Sequence, residues 1–91
     1  MDKKVSVAMA TYNGEKYIEE QVRTILQNLG ENDELIISDD GSNDNTIDII
    51  KSFKDTRIKL IKGPRKGLKQ NFNNAIKKYV RRNKGGKISR R

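Results

Sequence analysis

An α/β fold with a parallel sheet is predicted by three features: short, mostly apolar runs, a helical apolar period after each of them, and turn clusters at the junctions. The first run, Val5-Ser6-Val7-Ala8-Met9-Ala10, carries no charge and reads as a strand covered on both faces. Thr11-Tyr12-Asn13-Gly14 is a turn cluster, after which Ile18, Val22, Ile25, Leu26 and Leu29 mark one face of a helix, with Gly30 expected as its C-cap. Leu35-Ile36-Ile37 is the second strand, and it stops at Ser38-Asp39-Asp40-Gly41-Ser42. Asp44 is placed to cap a second helix, with Ile47, Ile50 and Phe53 inward and Lys51 and Lys54 where cations suit the dipole. Ile58-Lys59-Leu60-Ile61 is a third strand, Gly63-Pro64-Arg65-Lys66-Gly67 a loop, and Leu68, Phe72, Ala75, Ile76, Tyr79 and Val80 line a third helix. The order is βαβαβα. Such alternation implies right-handed crossovers and a Rossmann-like half.

Composition removes several chemistries. The 91 residues give room for one small domain or part of a larger one, not for two. With no Cys and no His there is no disulfide framework, zinc site, thiol nucleophile or imidazole base. No apolar run approaches the roughly 20 residues that cross a bilayer, so a soluble, cytoplasmic chain is expected. The net charge of +8 is unevenly spread. Through Asp55 there are 6 basic and 12 acidic residues; from Thr56 onward there are 14 basic and none acidic. Residues 1–80 read as the folded part, and 81–91, with Arg81, Arg82, Lys84, Lys87, Arg90 and Arg91 around Gly85-Gly86, as a basic, flexible tail.

In open α/β sheets ligands bind beyond the carboxyl ends of the strands. Tyr12 follows the first strand directly, and Asp39 and Asp40 close the second. If those strands are neighbours, about 4.8 Å separates them laterally and one ledge holds a ring and carboxylates. An aromatic face stacks on a planar base, and a carboxylate accepts from an N–H on that base's edge, such as uracil N3–H between its two carbonyls. Each segment alone has a simpler reading, Tyr12 as a ring packed over the core and Asp40-Gly41-Ser42 as a turn and cap. Together, at the ends of consecutive strands, they favour a nucleotide pocket. No G-x-G-x-x-G follows the first strand, and Leu68 after Gly67 breaks the P-loop spacing. The basic loop residues Arg65 and Lys66, with nearby Lys69, are within reach of a diphosphate, although exposed loop charges are more often just solvated.

These residues resemble glycosyltransferase family 2, the inverting nucleotide-sugar transferases of GT-A fold, a three-layer sandwich. The resemblance rests on Val5 through Gly14, on Leu35 through Ser42 with Asp44 and Thr46, and on Gly67-Leu68 leading to Asn73, and it covers roughly residues 4 to 80. The pairing of T-Y-N-G with D-D-G-S-x-D-x-T about 25 residues later is far more specific than either piece. The resemblance implies transfer of a sugar from a nucleotide diphosphate donor, UDP- or dTDP-linked, to a saccharide or lipid-linked acceptor, the latter at the inner face of the membrane. It implies that Tyr12 stacks on the base and Asp40 holds the base N–H, with Thr11 and Asp39 supporting the pocket. Asn71-Phe72-Asn73 is more similar to the rhamnosyltransferase-like branch than to members with Arg at the Phe72 position.

The family continues to a fourth strand with an Asp-x-Asp type motif that holds Mg²⁺ or Mn²⁺, and to a carboxylate base. No Asp or Glu follows Asp55, so neither the metal ligands nor a catalytic residue has a candidate in that half. The chain is therefore expected to be a donor-binding, catalytically incomplete portion of the enzyme. In the family's sheet order, 3-2-1-4, residues 5–10 would form an open apolar edge, with self-association as the expected consequence. Two other readings fit less well. A small basic nucleic-acid-binding α/β domain uses the positive half but has few aromatics for stacking, so nucleic acid is not the expected partner. A phosphoacceptor receiver domain fails because the acidic pair follows the second strand, not the first.

Overall fold

The computed structural model of the chain describes residues 5–82 and 87–90, and side chains as far as Lys78. The elements are β1 (Val5–Thr11), α1 (Ile18–Gln27), β2 (Glu34–Asp39), α2 (Thr46–Ser52), β3 (Ile58–Lys62), α3 (Leu68–Arg82) and β4 (Lys87–Arg90). All strand pairs are parallel, in the order β3-β2-β1-β4. This is the Rossmann-like α/β half predicted from the alternation, with one strand more.

The layers follow from the two faces of each strand. Val7 and Met9 of β1 and Leu35 and Ile37 of β2 point to one side and pack with Ile18, Val22, Ile25 and Leu26 of α1 and Ile50 of α2. Ala8 and Ile36 point to the other, where Ala75, Phe72 and Ile76 of α3 meet them together with Ile61 of β3. Leu35, Ile36 and Ile37 have no exposed surface at all, as a strand covered on both faces requires. Burying each such side chain contributes about 1.5–3 kcal/mol relative to leaving it in water, so this short run supports both layers.

Some local expectations shift. α1 ends at Gln27 with Asn28 as its C-cap; Gly30 instead begins a turn in which its N–H donates to Asp33 Oδ2 at 2.7 Å. In α2 the residues packed on the core are Ile49, Ile50 and Phe53, whereas Ile47 is not among them. Asp44 stands one residue before the N-cap Asn45, yet its carboxylate accepts the Thr46 N–H at 3.0 Å. Partial burial pushes its pKa upward, but hydrogen bonds from the hydroxyl and N–H of Thr46 and from the Glu15 N–H outweigh this and hold it below the usual carboxylate value. Tyr79 and Val80, expected to line α3, lie outside the described side chains.

The largest difference concerns the end of the chain. Of the residues read as a flexible tail, Arg81 and Arg82 complete α3 and Lys87–Arg90 form β4; 83–86, including Gly85-Gly86, and Arg91 lie outside the described residues. β4 pairs with β1 from Val5↔Lys87 to Ala8↔Arg90, so the edge expected to be open is covered over that length. The physical reason is the crossover. α3 follows β3 at one side of the sheet and packs across β2 and β1, so the chain reaches the far side, where β4 pairs with the free N–H and C=O groups of β1. Four residues containing one apolar side chain are too short for a strand period to show.

Arg57 closes the opposite end of the sheet. Its guanidinium donates to the carbonyls of Leu26 and Leu29, at 3.1 and 2.9 Å, tying the end of α1 to the start of β3. Asp55 aligns it, accepting from Nε at 3.0 Å and from the second terminal nitrogen at 2.8 Å. These hydrogen bonds, with the attraction of the guanidinium charge, bring the Asp55 pKa down from 3.8 to about 2.

Two outcomes are expected. A depressed carboxylate pKa contributes stability that is complete above the unfolded value and is lost as pH falls through the folded one, so the Asp55 contribution should disappear between about pH 5 and 2. Thermal melts of wild type and Asp55→Asn should converge across that window; parallel curves would contradict the assignment. Truncation after Arg82 should expose the β1 edge and raise the apparent mass in light scattering relative to the full chain, and equal masses at matched concentration would show that β4 does not protect it.

Candidate functional site

β1 and β2 run side by side in register, with Thr11 opposite Asp39, so their carboxyl ends are adjacent. The two loops that leave them are tied together. The Asp40 N–H donates to the Thr11 carbonyl at 3.0 Å. The Asn13 N–H donates to Ser42 Oγ at 2.8 Å, and the Asn43 N–H to Asn13 Oδ1 at 2.8 Å. The Gly14 N–H donates to Thr46 Oγ1 at 2.8 Å, which joins the first loop to the start of α2.

Consecutive carboxylates take opposite parts. Asp39 is buried, and its Oδ2 accepts the N–H groups of Gly41 at 3.1 Å and Ser42 at 2.9 Å, while Oδ1 accepts the Ser42 hydroxyl. Both oxygens are engaged within the loop. Asp40 is half-buried and turned the other way, into a cleft of 480 Å³ bordered by Tyr12, Gly41, Arg65, Leu68 and Asn71. Its Oδ1 accepts the Arg65 N–H from the β3–α3 loop, where Arg65 takes a left-handed φ of 61°. Tyr12 keeps 53% of its surface exposed and Leu68 72%, so two of the large apolar side chains left in water border this cleft. Thr11 is buried in β1, and its carbonyl serves the Asp40 N–H.

Beneath the cleft lies a polar network, buried at Asn71 and Ser38 and half-buried at Asn74, that joins α3 to three strands. Asn71, 1% exposed, accepts the Ser38 hydroxyl on Oδ1 at 2.6 Å and donates from Nδ2 to the Thr11 carbonyl at 3.2 Å. Asn74 donates to Ser38 Oγ at 3.0 Å and to the Lys62 carbonyl at 2.9 Å. Gly63 is where this network meets the site. A Cβ there would lie 2.3 Å from Asn71 Oδ1 and 2.7 Å from Asp40 Oδ1, so only glycine lets the end of β3 come this close.

A larger groove of 680 Å³ runs between β1 and α1, but its walls, including Val5, Val7, Met9, Ile25 and Leu29, are mainly apolar and hold none of the candidate residues. Among the described residues no group of three or more His, Cys, Asp or Glu is placed to hold a metal ion. The Asp39–Asp40 pair does not fit a divalent cation, since Asp39 spends both oxygens on the loop and Asp40 already gives Oδ1 to the Arg65 N–H.

Residues 6–81 match the model of glycosyl transferase family 2. The chain belongs to that family. Among its relatives, a Shigella flexneri dTDP-rhamnosyl transferase, RfbG, is 48% identical over 50% of this chain and 16% of its own length. The Escherichia coli UDP-Glc:alpha-D-GlcNAc-diphosphoundecaprenol beta-1,3-glucosyltransferase WfgD is 40% identical over 63% of the chain and 22% of its own. The putative Bacillus subtilis glycosyltransferase EpsE is 36% identical over 94% of the chain and 34% of its own. The chain thus spans about a sixth to a third of these relatives.

Within this glycosyl transferase domain, sequence reasoning located Thr11, Tyr12, Asp39 and Asp40 but not Asn74, nor the structural part played by Asn71. Asn73, quoted with the family pattern, is exposed, whereas Asn71 and Asn74, three apart, face the sheet. The signal that could have found them is two asparagines on the face that also carries Ala75 and Phe72. Replacing Asn71 by Leu keeps the volume but strips partners from the Thr11 carbonyl and the Ser38 hydroxyl. A loss of about 2–4 kcal/mol is expected in urea unfolding, as a lower midpoint at unchanged slope. A loss below about 0.5 kcal/mol would show that the network carries little stability.

Proposed function

We propose that this glycosyl transferase domain binds the nucleotide of an activated sugar in the cleft between Tyr12 and Asp40, for transfer of that sugar to a saccharide or lipid-linked acceptor. One observation carries the reading: a half-exposed tyrosine ring and a carboxylate from adjacent, register-paired strands border the same 480 Å³ cleft. The ring supplies a stacking face for a planar base. Asp40 Oδ1 is occupied by the Arg65 N–H, and no described donor sits on Oδ2, which leaves that oxygen to accept the imide N–H of uracil or thymine. Thr11 and Asp39 act behind this surface by fixing the two loops, not by touching the ligand.

Relatives named as a dTDP-rhamnosyl transferase and a UDP-glucose-dependent transferase support a uridine or thymidine diphosphate sugar as donor. The second name includes a diphosphoundecaprenol acceptor, which supports a lipid-linked acceptor for this chain too. Mg²⁺ or Mn²⁺, the ion expected on the donor diphosphate, would need ligands other than those described here. The 91 residues are proposed to bind the donor without completing transfer by themselves. The match to a transferase family over most of the chain disfavours the nucleic-acid-binding reading.

Titration with UDP and dTDP should show saturable binding, followed by tyrosine fluorescence or calorimetry. Asp40→Ala and Tyr12→Ala should each weaken it by tenfold or more, since a base–aromatic stack or a hydrogen bond to a charged group contributes about 1–3 kcal/mol. Wild-type affinity in both variants would remove the cleft from consideration.

A further inference from the structure

Asn13 and Gly14 form the only Asn-Gly step in the sequence. In such a step the glycine nitrogen, with no β-carbon on its own residue to hinder it, attacks the preceding side-chain amide. The bond from Gly14 N to Asn13 Cγ forms, the bond from Cγ to the side-chain nitrogen breaks, and ammonia leaves with the amide proton. Water then opens the resulting succinimide at either carbonyl, giving aspartate or isoaspartate, the latter with a main chain longer by one methylene. Water is the sole co-reactant.

In the folded chain both reacting groups are engaged elsewhere. Gly14 is buried, and its N–H donates to Thr46 Oγ1 at 2.8 Å. Thr46 has no exposed surface, and its hydroxyl proton goes to Asp44 Oδ1, which leaves an oxygen lone pair facing Gly14. Asn13 Oδ1 accepts the Asn43 N–H at 2.8 Å, and the Asn13 N–H donates to Ser42 Oγ at 2.8 Å. Asn13 also holds a left-handed φ of 49° and is exposed, so water reaches its amide. All of these partners lie on the loop after β2 or at the start of α2. The chemistry of the first loop is therefore controlled by its contact with the second.

We propose that Asn13–Gly14 is a self-modification site, converting through a succinimide to aspartate and isoaspartate, and that the Thr46 hydroxyl keeps it closed by holding the Gly14 N–H. While that bond stands, the nitrogen is kept from losing its proton and turning toward Asn13 Cγ; when the two loops part, it is released. The position gives the product consequence. Isoaspartate lengthens the chain directly after Tyr12 and adds a negative charge to the loop that carries the ring, so the spacing between Tyr12 and Asp40 changes. The inference holds whatever the cleft binds.

The test incubates the full chain, Thr46→Val and Thr46→Ser at mildly alkaline pH, in buffer and in guanidinium chloride. Peptide mapping by mass spectrometry follows the amide-to-acid conversion at Asn13 and separates the two acid products. Wild type should convert at least about tenfold more slowly in buffer than in denaturant, as a group does that reacts only from an opened state. Thr46→Val removes one hydrogen bond at nearly constant shape; folded by circular dichroism, it should convert at least about threefold faster than wild type in buffer. Thr46→Ser keeps the hydroxyl and should stay near the wild-type rate. Equal wild-type rates in buffer and denaturant overturn the inference. So does a folded Thr46→Val that converts at the wild-type rate, and so does a denatured chain in which Asn13 reacts no faster than Asn28 or Asn71. If Thr46→Val does not fold, hydrogen exchange decides: a protected Gly14 amide in wild type supports the gate, and an unprotected one overturns it.

Discussion

A carboxylate buried at the last residue of β2 sets the geometry of the whole upper face. Withdrawing such a group from water costs several kcal/mol unless it is hydrogen-bonded, and Asp39 is satisfied by the N–H groups of Gly41 and Ser42 and by the Ser42 hydroxyl. To supply them the chain must turn back on itself immediately. That turn requires the positive φ of Gly41 and directs the intervening Asp40 away from the strand and into the cleft. The Ser42 hydroxyl, while donating to Asp39, accepts the Asn13 N–H, so the loop after β1 is fixed by the same group. The placement of Tyr12 next to Asp40 is in this sense a consequence of how one buried charge is satisfied.

Support from below is equally polar. Asn71 and Asn74 reach from α3 to the ends of β1, β2 and β3, and each uses its amide to join two strands. With Asn71 buried and Asn74 half-buried, such amides hold geometry well because moving one leaves another polar group without a partner. The exposed groups, Tyr12, Arg65 and Leu68, rest on this layer. A hydrogen-bonded layer lies underneath and the exposed groups lie on top, an arrangement that keeps surface groups oriented.

The fold was largely legible because its signal is repetitive. Uncharged or nearly uncharged runs such as Val5 to Ala10 and Leu35 to Ile37 can be buried on both faces only in a covered sheet, and Ile18, Val22, Ile25 and Leu26 follow a single helical face. Tyr12 and Asp40 were legible because chain position relative to strand ends is enough to place them on one ledge. Three features were not. β4 is too short for a period, and its register depends on an edge of β1 that is created only by the crossover of α3. The Asn71–Ser38–Asn74 network joins residues more than 30 positions apart by hydrogen bonds, which leave no periodic trace. The approach of Arg65 to Gly41 depends on a left-handed backbone at a non-glycine residue, which local propensity disfavours.

The charge asymmetry of the chain also changes meaning once it is folded. In sequence, acidic and basic residues are segregated, and a wholly basic half suggests a surface that attracts any polyanion. In the fold, the parallel order brings the β3–α3 loop of the basic half over the tips of the acidic one, so that the Arg65 N–H donates to Asp40 Oδ1. A purely cationic patch binds phosphates whatever base they carry, because the backbone charge it contacts is common to all nucleotides. A carboxylate held by a backbone N–H does something different: the contact fixes the direction in which its remaining oxygen accepts. Contact there is local and directional, which a uniform cationic patch cannot provide.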